Sequence, residues 1–189
     1  WSLIDFHHII EILKRHKRGR VILAITFVGT LIDLEKGIFL GVALSLALYL
    51  YRTSRPTLEG VVPDGEADSY HYVAANNRPE CPQIKMMRLN GSIFFGAVSH
   101  LQQQVQELSE KSPKHKHLVL MASGINFIDL AGAEFLGETA KHYASAGGSF
   151  GLYRMKENVA ASLRNGGFMD AIGEENLYPA KSRPAEALF

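Results

Sequence analysis

Asn126-Phe127-Ile128-Asp129-Leu130-Ala131-Gly132-Ala133-Glu134 lies just after the apolar run His117 to Met121, four residues on, and opens a helical pattern. A buried strand followed by a polar loop and then a helix is one unit of an α/β fold. Asp129 stands where an N-cap belongs, with its carboxylate able to accept from the free amides of the first turn. The small residues Ala131 and Gly132 are expected to leave those amides accessible, and such a helix start can receive a phosphate or another anion. A capped helix with no further role fits the spacing equally well.

Working outward, Leu130 to Ala146 reads as a helix with Ala133, Leu136, Ala140 and Tyr143 inward, stopped by Gly147-Gly148. Phe150 to Tyr153 is the next strand, and Lys156 to Arg164 a further helix ended by Gly166-Gly167. Upstream, Val98, Leu101, Val105 and Leu108 recur at helical spacing before the polar break Glu110 to Lys116. Ile84 to Leu89 and Ser92 to Phe95 flank Asn90-Gly91, a two-residue turn signal that predicts a β-hairpin. The expected architecture is α/β with a mixed, partly parallel sheet. No internal repeat is visible.

From Pro56 to Pro82 the chain carries Gly60, Pro63, Gly65, Asn76, Asn77, Pro79 and Pro82 around one strand-like piece, Tyr70 to Ala74, so 56–82 reads as a linker with an edge strand. The expected division is therefore 1–55, 56–82 and 83–189. Splitting the 189 residues at Pro56 leaves 8 basic and 4 acidic residues before it, and 12 basic and 15 acidic after it. The two parts suit different environments.

Before Pro56 lie two apolar runs, Val21 to Ile32 and Ile38 to Tyr51, of 12 and 14 residues. At 1.5 Å per residue they reach about 18 and 21 Å, short of the roughly 30 Å hydrocarbon core. One helix through both would bring Asp33, Glu35 and Lys36 near the membrane centre, where each charge costs about 2.5 to 3.5 kcal/mol. A short transmembrane helical hairpin instead places Asp33 to Gly37 in the turn. Lys14, Arg15, Lys17, Arg18 and Arg20 on one side, with Arg52 and Arg55 on the other, put both ends on the cytoplasmic face. Leu3, Ile4, Phe6, Ile9, Ile10 and Leu13 suggest an amphipathic helix at the interface. Trp1 is not an initiator methionine and no signal peptide opens the chain, so a piece of a longer protein is expected.

Other chemistry is sparse. The one cysteine, Cys81, excludes an internal disulfide or a Cys-rich zinc site. Lys114-His115-Lys116-His117 reads as a solvated loop, and His7, His8 and Glu11 lack a third metal ligand at suitable spacing. Gly147 to Gly151 precedes a strand, not a helix, so it is no phosphate loop. No nucleophile and base pair at recognisable spacing, so an enzyme, a metal and a cofactor are not expected. The basic residues 14 to 20 have no interleaved aromatics, which favours anionic lipid over nucleic acid.

The order of elements, the Phe94-Phe95 segment and Ile128-Asp129-Leu130-Ala131-Gly132 after a strand resemble a STAS domain, the module shared by anti-sigma-factor antagonists and SulP-type anion transporters. The hairpin ending in Arg52-Thr53-Ser54-Arg55-Pro56 resembles the last membrane segments of SulP sulfate permeases, directly before their cytoplasmic STAS domain. Together these cover Leu3 to Pro179. The resemblance implies the C-terminal portion of a secondary active transporter for an inorganic anion of the sulfate or bicarbonate class, integral to the cell membrane and homodimeric. Its substrate site is expected upstream of Trp1. Asn126, Asp129, Leu130, Ala131 and Gly132 are then the regulatory loop, meeting a protein partner or a nucleotide. In the anti-sigma-factor antagonists the position of Ala131 carries a phosphorylated serine. Its absence here favours the transporter branch over the alternative, a membrane-tethered STAS signalling module.

Overall fold

The computed structural model describes residues 17–32, 34–64, 71–76, 78–111, 114–180, 182 and 184. The expected interfacial helix on Leu3 to Leu13, with His7, His8 and Glu11, lies outside them. The chain separates into two compact units, Trp1–Arg52 and Thr53–Phe189.

The first unit holds α1 (Lys17–Ile32) and most of α2 (Leu34–Thr53). Small residues let the two helices close on one another. A Cβ on Gly29 would come within 3.2 Å of Gly37 Cα, and one on Gly41 within 2.9 Å of Thr26 Oγ1. The expected turn is shorter than Asp33 to Gly37, because Glu35, Lys36 and Gly37 already belong to the first turn of α2. The second apolar run consequently sits in a helix of 20 residues with a mean hydropathy of 1.5. That is about 30 Å, enough to cross a membrane by length and composition. Val21, Phe27, Ile38, Phe39, Val42 and Tyr49 on these helices are exposed.

The second unit is a six-stranded sheet in the order β2-β1-β3-β4-β5-β6. Its strands are β1 (Thr57–Pro63), β2 (Tyr72–Ala74), β3 (Ile84–Asn90), β4 (His117–Gly124), β5 (Ser149–Tyr153) and β6 (Leu177–Tyr178). β1 runs antiparallel to β2 and β3, and the remaining pairs are parallel. The connecting helices are α3 (Phe95–Lys111), α4 (Leu130–Ser145), α5 (Glu157–Asn165) and the short α6 (Met169–Ile172). β4 is central and reads as a continuous apolar run because it is covered on both faces. Successive side chains alternate between those faces. Leu118, Leu120 and Ala122 join Leu101, Leu136, Ala140 and Leu163 of the helices in the larger core, while Val119 and Met121 join Val61, Ile84, Met86 and Tyr153 on the other face.

Two expectations fail here. Segment 56–82, read as a linker with one strand, contributes two. β1 pairs with β3 from Thr57↔Asn90 to Gly60↔Met87, and its Gly60 and Pro63 disguised it. The predicted β-hairpin about Asn90-Gly91 does not form. β3 already has β1 on one side and β4 on the other, so Ser92 to Phe95 has no free edge to pair with. Gly91 instead turns the chain at φ 143°, a backbone angle that favours glycine. Only Ile93 keeps a strand-like bridge, to Ile128, before Phe95 begins α3.

Candidate functional site at the β4–α4 corner

The loop after β4 and the start of α3 are joined backbone to backbone. Ile93 N–H donates to Phe127 O at 3.0 Å, and Asp129 N–H donates to Ile93 O at 3.1 Å. Asp129 then closes the corner with both carboxylate oxygens. Oδ1 accepts from Gly132 N–H at 2.8 Å as the N-cap of α4, and Oδ2 accepts from Phe95 N–H at 2.9 Å at the start of α3. The cap was legible in the sequence. The second bond was not, because it joins residues 34 apart.

Of the expected open amides, that of Gly132 is therefore not open. Gly132 is buried, its amide is taken by Asp129, and a Cβ on it would lie 2.5 Å from Ile93 O. An anion reaching the Gly132 amide would have to displace the Asp129 carboxylate. Glycine here serves close packing of helix against loop.

The remaining residues of the loop face outward. Asn126 and Leu130 are exposed and Ala131 is partly so. Asn126 is tied to the start of α5: Lys156 Nζ donates to its Oδ1, and Asn158 Nδ2 donates to its backbone oxygen at 3.0 Å. Beside it, a cleft of about 460 Å³ is lined by Ser123, Arg154, Lys156, Arg164 and Tyr178 among others. Arg154 is the one non-glycine with positive φ among the described residues, at 55°. Arg164 lies between Glu157 at 2.9 Å and Glu174 at 2.8 Å. Its hydrogen bond to Glu174, then that to Glu157, raises the guanidinium pKa, and the Glu174 carboxyl is lowered by the same pairing.

Sequence reading passed over the apolar content of this corner. Phe95 is 76% exposed, Phe127 55% and Leu130 70%. By its sequence neighbours Phe95 belongs to a strand, whereas it begins α3. Period alone cannot distinguish a strand residue from a helix-start residue whose side chain points to solvent.

The Lys114 to His117 segment is less solvated than expected. His115 Nδ1 is buried without a hydrogen-bond partner, and His117 Nδ1 lies 2.8 Å from Ser149 Oγ. Burial, followed by nearby Lys85, lowers the His115 pKa from its usual value. Among the described residues no group of three or more His, Cys, Asp or Glu is placed to hold a metal, and Cys81 is an exposed free thiol.

The STAS-domain family model matches residues 73–183. YvdB of Bacillus subtilis, assigned as a sulfate transporter, is 24% identical over 94% of this chain and 32% of its own length. Rv1739c of Mycobacterium tuberculosis, also assigned as a sulfate transporter, is 25% identical over 88% of this chain and 30% of its own. The chain thus spans about a third of the length of these curated relatives. Among solved structures, the murine anion transporter SLC26A9 in its inward-facing state superposes with a TM-score of 0.80 at 19% identity, over 98% of this chain and 30% of that one.

Proposed function

The chain belongs to the STAS-domain family, and from that premise we propose that it is the C-terminal portion of a secondary active inorganic-anion transporter of the sulfate or bicarbonate class. In this reading α1 and α2 are its last membrane segments, and the STAS domain is a cytoplasmic module for regulation and contact. One observation carries the reading: the first strand of the sheet that contains the STAS match, residues 73–183, begins at Thr57, directly after an apolar helix of 20 residues, with only Ser54, Arg55 and Pro56 between. Similarity to the two sulfate transporters continues through both parts. Arg52 and Arg55 at the end of α2 favour the cytoplasmic side for the domain. The substrate site belongs to sequence before Trp1, and the transporter works as a homodimer with no chemical step on this chain.

Asn126, Asp129, Leu130, Ala131 and Gly132 serve as the regulatory loop, with Asp129 and Gly132 as its frame and Asn126, Leu130 and Ala131 as its contact surface. Ala131 offers no hydroxyl for phosphorylation, which argues against a partner-switching cycle at that position. The alternative is a membrane-tethered STAS signalling module that binds a protein partner, favoured by the outward-facing corner around Leu130.

Carbonate-washed native membranes probed with an antibody against residues 83–189 separate the two. The transporter reading expects an intrinsic band about three times the length of this chain, whose deletion abolishes uptake of labelled sulfate or bicarbonate. A band near 20.9 kDa with uptake intact would replace it with the signalling module.

A further inference from the structure

Among the described residues, exposed large apolar side chains fall in two places: the helices α1 and α2, and the corner formed by Phe95, Phe127 and Leu130. The first is accounted for by lipid. The second is not, and a cluster of two phenylalanines and a leucine on an otherwise well-buried α/β domain marks a contact surface.

Its position in the unit limits what it can meet. Thr57, the first residue of β1, pairs with Asn90 at the end of β3. A Cβ on Gly91 would lie 2.9 Å from Pro56 Cβ, and one on Gly96 would lie 3.0 Å from Ser54 Oγ. Phe95 is therefore beside the residues through which the chain enters the domain, and Phe127 and Leu130 are joined to it through Ile93 and Asp129. Three residues, Ser54 to Pro56, separate this end from the last residue of α2. Fully extended, the four Cα–Cα steps from Thr53 to Thr57 reach about 14 Å, which keeps this end of the domain within reach of the headgroup layer flanking the hydrocarbon core. Lys156, which donates to Asn126 next to Phe127, and Arg55, next to Pro56, are both exposed, Glu134 is the exposed acid one turn on from Leu130, and Asp129 directs its charge inward to two backbone amides. Apolar side chains beside cations, tethered a few residues from a spanning helix, have the chemistry of an interfacial anchor.

We propose that Phe95, Phe127 and Leu130 insert into the headgroup layer of an anionic bilayer and seat the STAS domain against the membrane. This rests on α2 being a spanning segment. The anchor restrains the domain at the same corner that holds the regulatory loop, so a partner binding Leu130 would have to lift it from the lipid.

The test uses the whole chain in vesicles of phosphatidylcholine and phosphatidylglycerol. On a Trp1→Phe background, which removes the sole tryptophan, a tryptophan is placed by Phe95→Trp, Phe127→Trp or Leu130→Trp. Glu110→Trp, exposed near the far end of α3, is the reference. Lipids brominated near the headgroup end of their acyl chains should quench the three corner positions several-fold more than position 110. Equal, weak quenching at all four overturns the proposal. Blue-shifted emission at the corner without bromine quenching also overturns it, and assigns the surface to a protein contact. A chain that fails to float with the vesicles removes the membrane reading and the anchor together, and so differs from one that floats but is not quenched.

Discussion

Asp129 accepts two backbone hydrogen bonds from helices that the chain connects only through β4, so its loss loosens two helix starts at once. Asp129→Ala should lower the unfolding free energy by about 2 kcal/mol, given that caps and bonds to charged acceptors are each worth about 1 to 2 kcal/mol. Asp129→Asn should fall between, since one amide oxygen can keep the Gly132 cap but cannot serve both donors equally; urea denaturation of the three proteins ranks them. Gly132 and Ala131 are neighbours with opposite tolerance. Gly132→Ala drives a Cβ to 2.5 Å from a backbone carbonyl and should cost about 1 to 3 kcal/mol as an overpacking change. Ala131→Ser, partly exposed, should stay within about 0.5 kcal/mol. Gly132 variants would therefore perturb folding along with any regulatory role proposed for the loop, whereas Leu130 variants report on the surface itself.

His115 supplies a pH dependence of definite sign. Its folded pKa is lowered, chiefly by burial, so the unfolded chain binds the proton more readily. The stability tied to neutral His115 is fully present above the unfolded value of about 6.5 and is lost as pH falls through and below it. His115→Gln should shrink the drop in melting temperature between neutral and mildly acidic buffer. An unchanged drop would mean that other groups dominate the acid response.

At the scale of elements, the helix pair depends on small residues where the backbones meet. Gly41→Leu would place its side chain against Thr26 Oγ1, already 2.9 Å from a bare Cβ position, and should separate α1 from α2. Hydrogen exchange of the α1 amides in vesicles should then quicken while the STAS amides are unaffected. By contrast, the Arg164 pairs with Glu157 and Glu174 lie on the surface, where ion pairs contribute little. Arg164→Ala should leave the unfolding midpoint nearly unchanged at moderate salt. The start of α3 shows why local rules failed there. Asn90-Gly91 does turn the chain, but hairpin formation needs an unoccupied strand edge, and pairing with β1 and β4 removes it.

For the whole molecule, both apolar clusters of the sheet lie within Thr53–Phe189. Residues 53–189 should therefore unfold in one cooperative transition without α1 and the rest of α2, as circular dichroism can check. The sequence by itself determined what depends on neighbours in the chain: the apolar runs ahead of Pro56, the period of α3 and α4, the Asp129 cap and the buried β4. These follow from side-chain spacing and backbone capping, which are local. Only the tertiary structure decided the roles of β1, Gly132, Phe95 and His115. Each depends on what a distant segment places beside it: a partner strand for β1, the Ile93 carbonyl for Gly132, the Asp129 carboxylate and open solvent for Phe95, and partial burial near Lys85 for His115.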